Sequence, residues 1–159
     1  MMTQNLSFQQ VVEFLNSGLH YSVTGKAGSV TLRNSSQADC LIFQEEDGGK
    51  RATLFAPFFE RPAATELRRV LDLHMLQLNG DFDTLGSMRI TLNHDSTQYS
   101  LCEATVQAQG QEDFVAYLQA ILKMAAYLRS ELTDIERQWL SERELDSTIE
   151  GQQAHLIKA

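Results

Sequence analysis

The chain has 159 residues, carries a formal net charge of -8 at pH 7 and is 43% hydrophobic. A chain of this length and apolar content can bury one sizeable core, so we expect a single domain. The acidic balance argues against nucleic acid and anionic membrane as partners, because the summed negative field repels polyanions.

The start of the sequence, MMTQNLSFQQ, has neither the basic region nor the apolar stretch that is typical of a signal peptide. No apolar run approaches the roughly 20 residues that a membrane-spanning helix needs. We therefore expect a cytoplasmic protein. Cys40 and Cys102 lie in apolar, strand-like segments without metal-ligand spacing, and we predict that both are buried, reduced thiols.

A first amphipathic helix is predicted directly after Ser7, which can cap it. Its apolar positions follow the 3.6-residue spacing of a helix and are Phe8, Val11, Val12, Leu15 and Leu19. Phe14 falls off this stripe. Its large side chain is therefore available either to a wider core or to a partner.

Three short β-type runs follow the first helix, at 29–32, 39–44 and 51–58. Gly48 and Gly49 lie between the second and third runs and readily supply the positive φ angles of a tight turn, which indicates an antiparallel hairpin. Pro57 and Pro62 cannot donate ladder hydrogen bonds, so we expect the third strand to end near them. Pro62 is also suited to the first turn of the next helix.

The second predicted helix, 63–78, is apolar on two sides. One stripe consists of Leu67, Val70, Leu71, His74 and Leu78, and Leu73 and Leu76 lie on nearly the opposite side. Such a helix is either enclosed within its own domain or shared between a sheet and another subunit. The sequence leaves both possibilities open.

A second hairpin and a long helix complete the predicted domain. Residues 87–93 alternate cleanly, with Met88, Ile90 and Leu92 on one face, and 98–106 form the returning strand. A helix with apolar residues at 3- and 4-residue steps begins near Gln111.

A capping-box pattern at 133–136 predicts a separate short helix after this long one, and the polar segment 147–159 is expected to be loose. The predicted fold is therefore a single α+β domain over 1–132, with the order helix, three strands, helix, two strands, helix. Its helices pack on an antiparallel sheet, and 133–159 form a C-terminal helical extension.

The sequence predicts no enzyme chemistry, no metal and no cofactor. The four histidines lie in four different elements without metal-ligand spacing, and no nucleophile, phosphate-loop or dinucleotide motif is present. His74 is expected to be a hydrogen-bonded imidazole in a core or interface. A small catalytic or ligand site at Cys102 and His94 is the one enzymatic alternative.

Apolar residues in excess of an obvious core favour a binding function instead. Phe14, together with the aromatic strand end Phe55, Phe58 and Phe59, could form a groove for an extended apolar peptide. The alternative is that all of these side chains belong to the core.

The order of elements, the size and the acidity resemble one known family. The resemblance is carried by Leu54-Phe55-Ala56-Pro57, by the helix 67–78 closing with Leu76-Gln77-Leu78-Asn79, and by the hairpin 88–101. Over residues 7–130 the chain resembles the class I chaperones of bacterial type III secretion, the Tir-chaperone-like family.

This resemblance implies a homodimer that binds the non-globular N-terminal segment of a secreted effector without ATP. It implies that the protein keeps the effector soluble and helps to present it to the secretion apparatus. The matching effector-binding positions are Phe8, Val11, Val12, Leu15, Leu41, Phe43 and Phe55. The matching dimer positions are Leu67, Val70, Leu73, Leu76, Met88 and Ile90. The tail after residue 132 departs from the family pattern, and proteins of this fold that regulate transcription by partner exchange provide a second functional hypothesis.

Overall fold

A six-stranded antiparallel sheet organises the chain in the computed structural model, which describes residues 3–17, 22–33 and 40–157. The helices are α1 (Phe8–Asn16), α2 (Thr65–Asn79), α3 (Phe82–Leu85) and α4 (Gln111–Ile157). The strands are β1 (Gln4–Asn5), β2 (Ser22–Lys26), β3 (Ser29–Arg33), β4 (Cys40–Glu46), β5 (Arg51–Glu60), β6 (Arg89–Leu92), β7 (Gln98–Glu103) and β8 (Gln107–Ala108). The mixed α+β fold and its antiparallel sheet are as predicted.

The strands of the large sheet lie in the order β2-β3-β4-β5-β7-β6, so β2 and β6 are its edges, and β1 pairs separately with β8. The prediction of five strands omitted β2. Its sequence, Ser-Val-Thr-Gly-Lys, has a single large apolar residue and a glycine, so it lacks the alternating pattern that marks a strand. Pairing with β3, from Ser22 opposite Arg33 to Lys26 opposite Ser29, defines this strand.

The buried apolar side chains of the sheet lie on one face, against α1, α2 and α4. Alternate strand positions face this core because successive side chains point to opposite sides of a strand. They include Leu32, Leu41, Phe43, Leu54, Ala56, Ile90, Tyr99 and Leu101. No described helix covers the opposite face of the sheet.

Helix α1 begins as predicted, with Ser7 as its cap. The Ser7 hydroxyl accepts a hydrogen bond from the Gln10 backbone amide, and the Gln10 side chain accepts one from the Ser7 amide at 2.9 Å. Phe14 packs against Phe114 of α4, with ring centroids 5.5 Å apart, so it joins a wider core. Leu19, the last predicted position of the stripe, lies outside the described residues.

Strand β5 ends at Glu60, between Pro57 and Pro62, as predicted, whereas the prediction that Pro62 lies in the first turn of the next helix was wrong. Strand β5 continues through Pro57 to Glu60, and its register with β7 shifts between Pro57 and Phe59. An irregularity of this kind tolerates a residue without an amide hydrogen. On the other side of β5, the pairing with β4 ends at Ile42 and Phe55. Pro57, whose nitrogen has no hydrogen to donate, is therefore not paired with β4. Pro62 precedes α2, which starts at Thr65.

The predicted break near residue 133 is also absent. Helix α4 is continuous over 47 residues, and the Thr133 hydroxyl donates to the Arg129 carbonyl, 2.8 Å away, instead of capping a new helix. Leu132 is fully buried and Ile135 and Trp139 pack against the core, so tertiary contacts continue across the capping-box pattern. The segment expected to be loose is helical as far as Ile157.

Candidate protein-binding surfaces

Helix α2 has one buried side and one exposed apolar side. Leu67 and Leu71 are buried against the sheet, whereas the exposed fractions are 44% for Val70, 58% for Leu73 and 68% for Leu76. Exposed leucines on one helix surface cost solvation free energy unless another molecule covers them. The sequence left open whether this helix is enclosed within its own domain or shared with another subunit. The exposed side chains show that the single chain does not enclose it.

A groove of about 370 Å³ runs between α2 and the edge strand β6. It is lined by Asp72, Met75, Leu76, Asn79, Ile90, Thr91, Leu92 and Tyr99. We call it the α2–β6 groove. Its wall is largely apolar and its rim is formed by exposed Leu76 and Leu92. Such a lining fits apolar side chains of a protein partner.

Asn79, at the end of α2, occupies the free edge of β6. Its side-chain amide donates to the Ile90 carbonyl at 2.9 Å, and its side-chain oxygen accepts from the Ile90 amide at 2.7 Å. The asparagine thus satisfies the main-chain groups of Ile90 that a further strand would use. This reduces the number of main-chain hydrogen bonds that a partner strand could form with this edge.

An ion-pair network holds α2 against the sheet beside this groove. The Arg61 guanidinium, at the end of β5, donates two hydrogen bonds to the Asp72 carboxylate, and the Tyr99 hydroxyl of β7 donates a third at 2.5 Å. The Arg61 hydrogen bonds lower the pKa of Asp72, and the Tyr99 hydroxyl adds to the effect. Burial and the neighbouring Asp72 raise the pKa of Tyr99. The network links α2 to Arg61 and to β7.

The uncovered face of the sheet carries a second hollow, of about 390 Å³. Its apolar lining comes from Ile42, Phe55 and Pro57, and it shares Thr91 and Leu92 with the α2–β6 groove. We call it the open-face hollow. The two cavities therefore meet at β6. The rest of the lining of the open-face hollow is polar and consists of Gln44, Asn93, His94, Gln98 and Ser100.

The predicted effector-binding residues are divided between the core and the open-face hollow. Val11, Leu15, Leu41 and Phe43 are buried in the core, and Phe8 and Val12 are half-buried and packed against it. Phe55 is half-buried in the open-face hollow. The aromatic groove suggested by the sequence is not formed, since Phe58 is buried beside Tyr99, with ring centroids 6.3 Å apart.

The predicted dimer residues are divided between the exposed side of α2 and the core. Val70, Leu73 and Leu76 are on the exposed side of α2, whereas Leu67 and Ile90 are buried in the core of the chain itself. Met88 is half-buried and packs on that core. Sequence reasoning did not assign Leu92 or Asn79 to a surface. Only the alternation of Leu92 with Ile90 gave a signal for Leu92, and nothing in the pattern indicated the role of Asn79.

The structure does not bring Cys102 and His94 together. His94 is fully exposed in the β6–β7 turn and bonds Asp95, whereas Cys102 pairs with Arg89 at the far end of the hairpin. Three residue pairs separate that end from the turn, which is about 10 Å along the strand. Burial raises the pKa of Cys102 and of Cys40, and both are half-buried free thiols.

His74 is hydrogen-bonded, as expected, with its Nε2 atom 2.9 Å from the Glu131 carboxylate of α4. Among the described residues, no cluster of histidine, cysteine, aspartate or glutamate has the geometry to hold a metal ion. In the same part of the chain, no helix combines the length and apolar character needed to cross a membrane.

The α2–β6 groove and the open-face hollow are the two cavities that we consider as candidate protein-binding sites. Comparison of the sequence with known protein families gave no match to any family model, and a search of curated proteins gave no significant match.

Proposed function

We propose that this protein is a homodimeric, ATP-independent chaperone that binds a non-globular segment of a secreted protein in the bacterial cytoplasm. The observation that carries the proposal is the apolar side of α2, where Leu73 and Leu76 are exposed beside the groove at β6. The order of elements, which resembles that of class I secretion chaperones, supports it.

The dimer would use the exposed side of α2. In a two-fold symmetric dimer each chain contributes the same surface to the interface. The exposed leucines of one α2 would therefore be covered by those of the other chain. Val70, Leu73 and Leu76 lie three residues apart and therefore follow one side of the helix. Asn79 already occupies the main-chain groups of Ile90 at the β6 edge, which favours a contact made by helices and side chains.

The client would bind along the open-face hollow. Fixing each residue of an extended client costs about 1–2 kcal/mol of conformational entropy. Apolar burial returns about 25 cal/mol per Å², so each ordered residue must bury about 40–80 Å² of apolar surface. Ile42, Phe55 and Pro57 offer part of this surface, and a dimer offers it twice. Burial alone supplies the free energy, so ATP is not required.

The charge of the chain is consistent with such a client. A net charge of -8 keeps the chaperone soluble and favours a basic or neutral client segment, because long-range attraction increases the rate of encounter.

The test is to purify the protein from its native host with its bound partner, identify that partner by mass spectrometry, and measure binding of the partner's N-terminal segment. We expect a secreted protein whose segment binds the wild-type dimer. Phe55→Ala should weaken this binding while leaving the dimer intact. Phe82→Ala, at an exposed phenylalanine outside both cavities, is the matched control and should bind normally.

Two results would count against the proposal. A transcription regulator as the stable partner would favour the regulatory hypothesis on the same fold. Equal binding by Phe55→Ala and wild type would show that the client does not use the open-face hollow.

A further inference from the structure

The C-terminal part of α4 extends beyond the body of the domain. Among its described side chains, up to Ile149, the last fully buried one is Leu132, and the last contact with the body is a hydrogen bond from the Arg143 guanidinium to the Glu66 carboxylate, at 2.7 Å. All side chains from Ser141 to Ile149 are exposed. At 1.5 Å per residue, the helix projects about 20 Å past Arg143.

The projecting part presents an apolar pair beside an acidic row. Leu145 is 64% exposed and Ile149 is 52% exposed, and a spacing of four residues places them on one side of the helix. Glu142 and Asp146 have the same spacing and form the neighbouring row. The one cation between residues 141 and 149, Arg143, is engaged by Glu66 and stacks over Trp139.

A projecting helix of this length is only marginally stable in water without a partner. A projecting segment of about 14 residues is near the lower limit of independent helix stability in water. Two large aliphatic side chains on its surface add a solvation cost that a partner would remove. The spacing of the pair matches the ridges by which one helix packs on another.

The charge of the surface decides between possible partners. A second copy of the same helix would bring Glu142, Glu144 and Asp146 against their own copies, and the repulsion would oppose packing. Lysine and arginine side chains can instead lay their apolar stems on Leu145 and Ile149 while their charged ends reach the carboxylates. Charge complementarity therefore favours a basic partner.

We propose that the projecting part of α4 docks a basic amphipathic α-helix of a partner protein. The surface lies beyond the body of the domain and uses neither the α2–β6 groove nor the open-face hollow. The proposal therefore does not depend on the chaperone function, and either one can fail while the other holds.

The test uses the full chain and a fluorescently labelled helical peptide of about 18 residues, with leucines at positions i, i+3, i+4 and i+7 and lysines on the other side. Binding is followed by anisotropy at low and at high salt. The double variant Leu145→Ala, Ile149→Ala should bind about ten-fold more weakly or worse, because it loses apolar burial without losing helix propensity.

Charge is tested separately. The double variant Glu142→Gln, Asp146→Asn should also weaken binding and reduce its salt dependence, because fewer charge pairs remain to be screened. Tyr127→Ala is the control, since Tyr127 is a similarly exposed residue of α4 on the body of the domain. Its affinity should equal that of the wild type.

Three outcomes would overturn the proposal. The first is wild-type affinity in the Leu145→Ala, Ile149→Ala variant. The second is equally tight binding of a peptide whose leucines are replaced by serine, which would reveal charge attraction alone. The third is a fall in the molecular mass of that double variant in solution, which would identify a second copy of this chain as the occupant.

Discussion

Substitution of Leu76 by aspartate tests the exposed side of α2 directly. Full burial of a leucine side chain contributes about 1.5–3 kcal/mol. Leu76 is still 68% exposed in the single chain, so covering it would contribute about 1–2 kcal/mol per protomer. A two-fold interface contains the residue twice, which gives about 2–4 kcal/mol. Leu76→Asp should therefore raise the dimer dissociation constant by about 30- to 1,000-fold.

Sedimentation velocity at a series of micromolar concentrations measures this change, with circular dichroism as a check on folding. The variant should fold, because the aspartate replaces a side chain that faces water in the single chain. Leu145→Asp provides a matched control, since Leu145 is a helical leucine with 64% exposure on the projecting part of α4. It should retain the wild-type mass.

A folded Leu76→Asp protein with the same concentration-dependent mass as the wild type would refute the use of this surface. If Leu145→Asp dissociated the dimer instead, the dimer interface would lie on α4. A wild-type protein that stays monomeric at all concentrations would contradict the dimer itself.

Three further predictions follow from particular contacts. Asn79→Ala removes both hydrogen bonds to Ile90 and should lower the free energy of unfolding by about 1–3 kcal/mol in urea titrations, and unchanged stability would contradict this. The lowered pKa of Asp72 implies a contribution to stability that is present above its ordinary pKa of 3.8 and is lost as pH falls through the lowered value. Asp72→Asn should therefore make the free energy of unfolding less dependent on acid pH. An unchanged acid profile would contradict this role of Asp72. Ser141→Pro should reduce the helical circular dichroism signal by disrupting the last part of α4 without changing the melting temperature of the body, since the side chains described there, from Ser141 to Ile149, are all exposed. A large fall in that temperature would show that the segment supports the core.

The local signals near α1 and α2 predicted the structure well because both helices obey them independently of distant contacts. Ser7 caps α1 through atoms only three residues away. The two apolar sides of α2 were visible in the spacing of Leu67 and Leu71 against that of Leu73 and Leu76, and burial separates these four residues in the same way. Val70 was predicted on the stripe of Leu67 but is 44% exposed, so its assignment was wrong.

Local signals failed at Thr133 and at Pro62. Thr133 has the pattern of a helix cap, but the packing of α4 on the core continues past it. Pro62 is suited to the first turn of a helix, but α2 begins only at Thr65. At Thr133 the free energy of many tertiary contacts exceeds that of one local preference.

The sequence by itself determined the α+β class, the two-sided character of α2 and the acidic charge, because these follow from periodicity and composition along the chain. Only the tertiary structure decided which apolar residues remain available to a partner. Val11 and Phe55 are equally apolar in the sequence, but α1 packs on the sheet while the opposite face is left uncovered, so one is buried and the other lines a hollow. Burial depends on contacts between residues far apart in the chain, which no local pattern records.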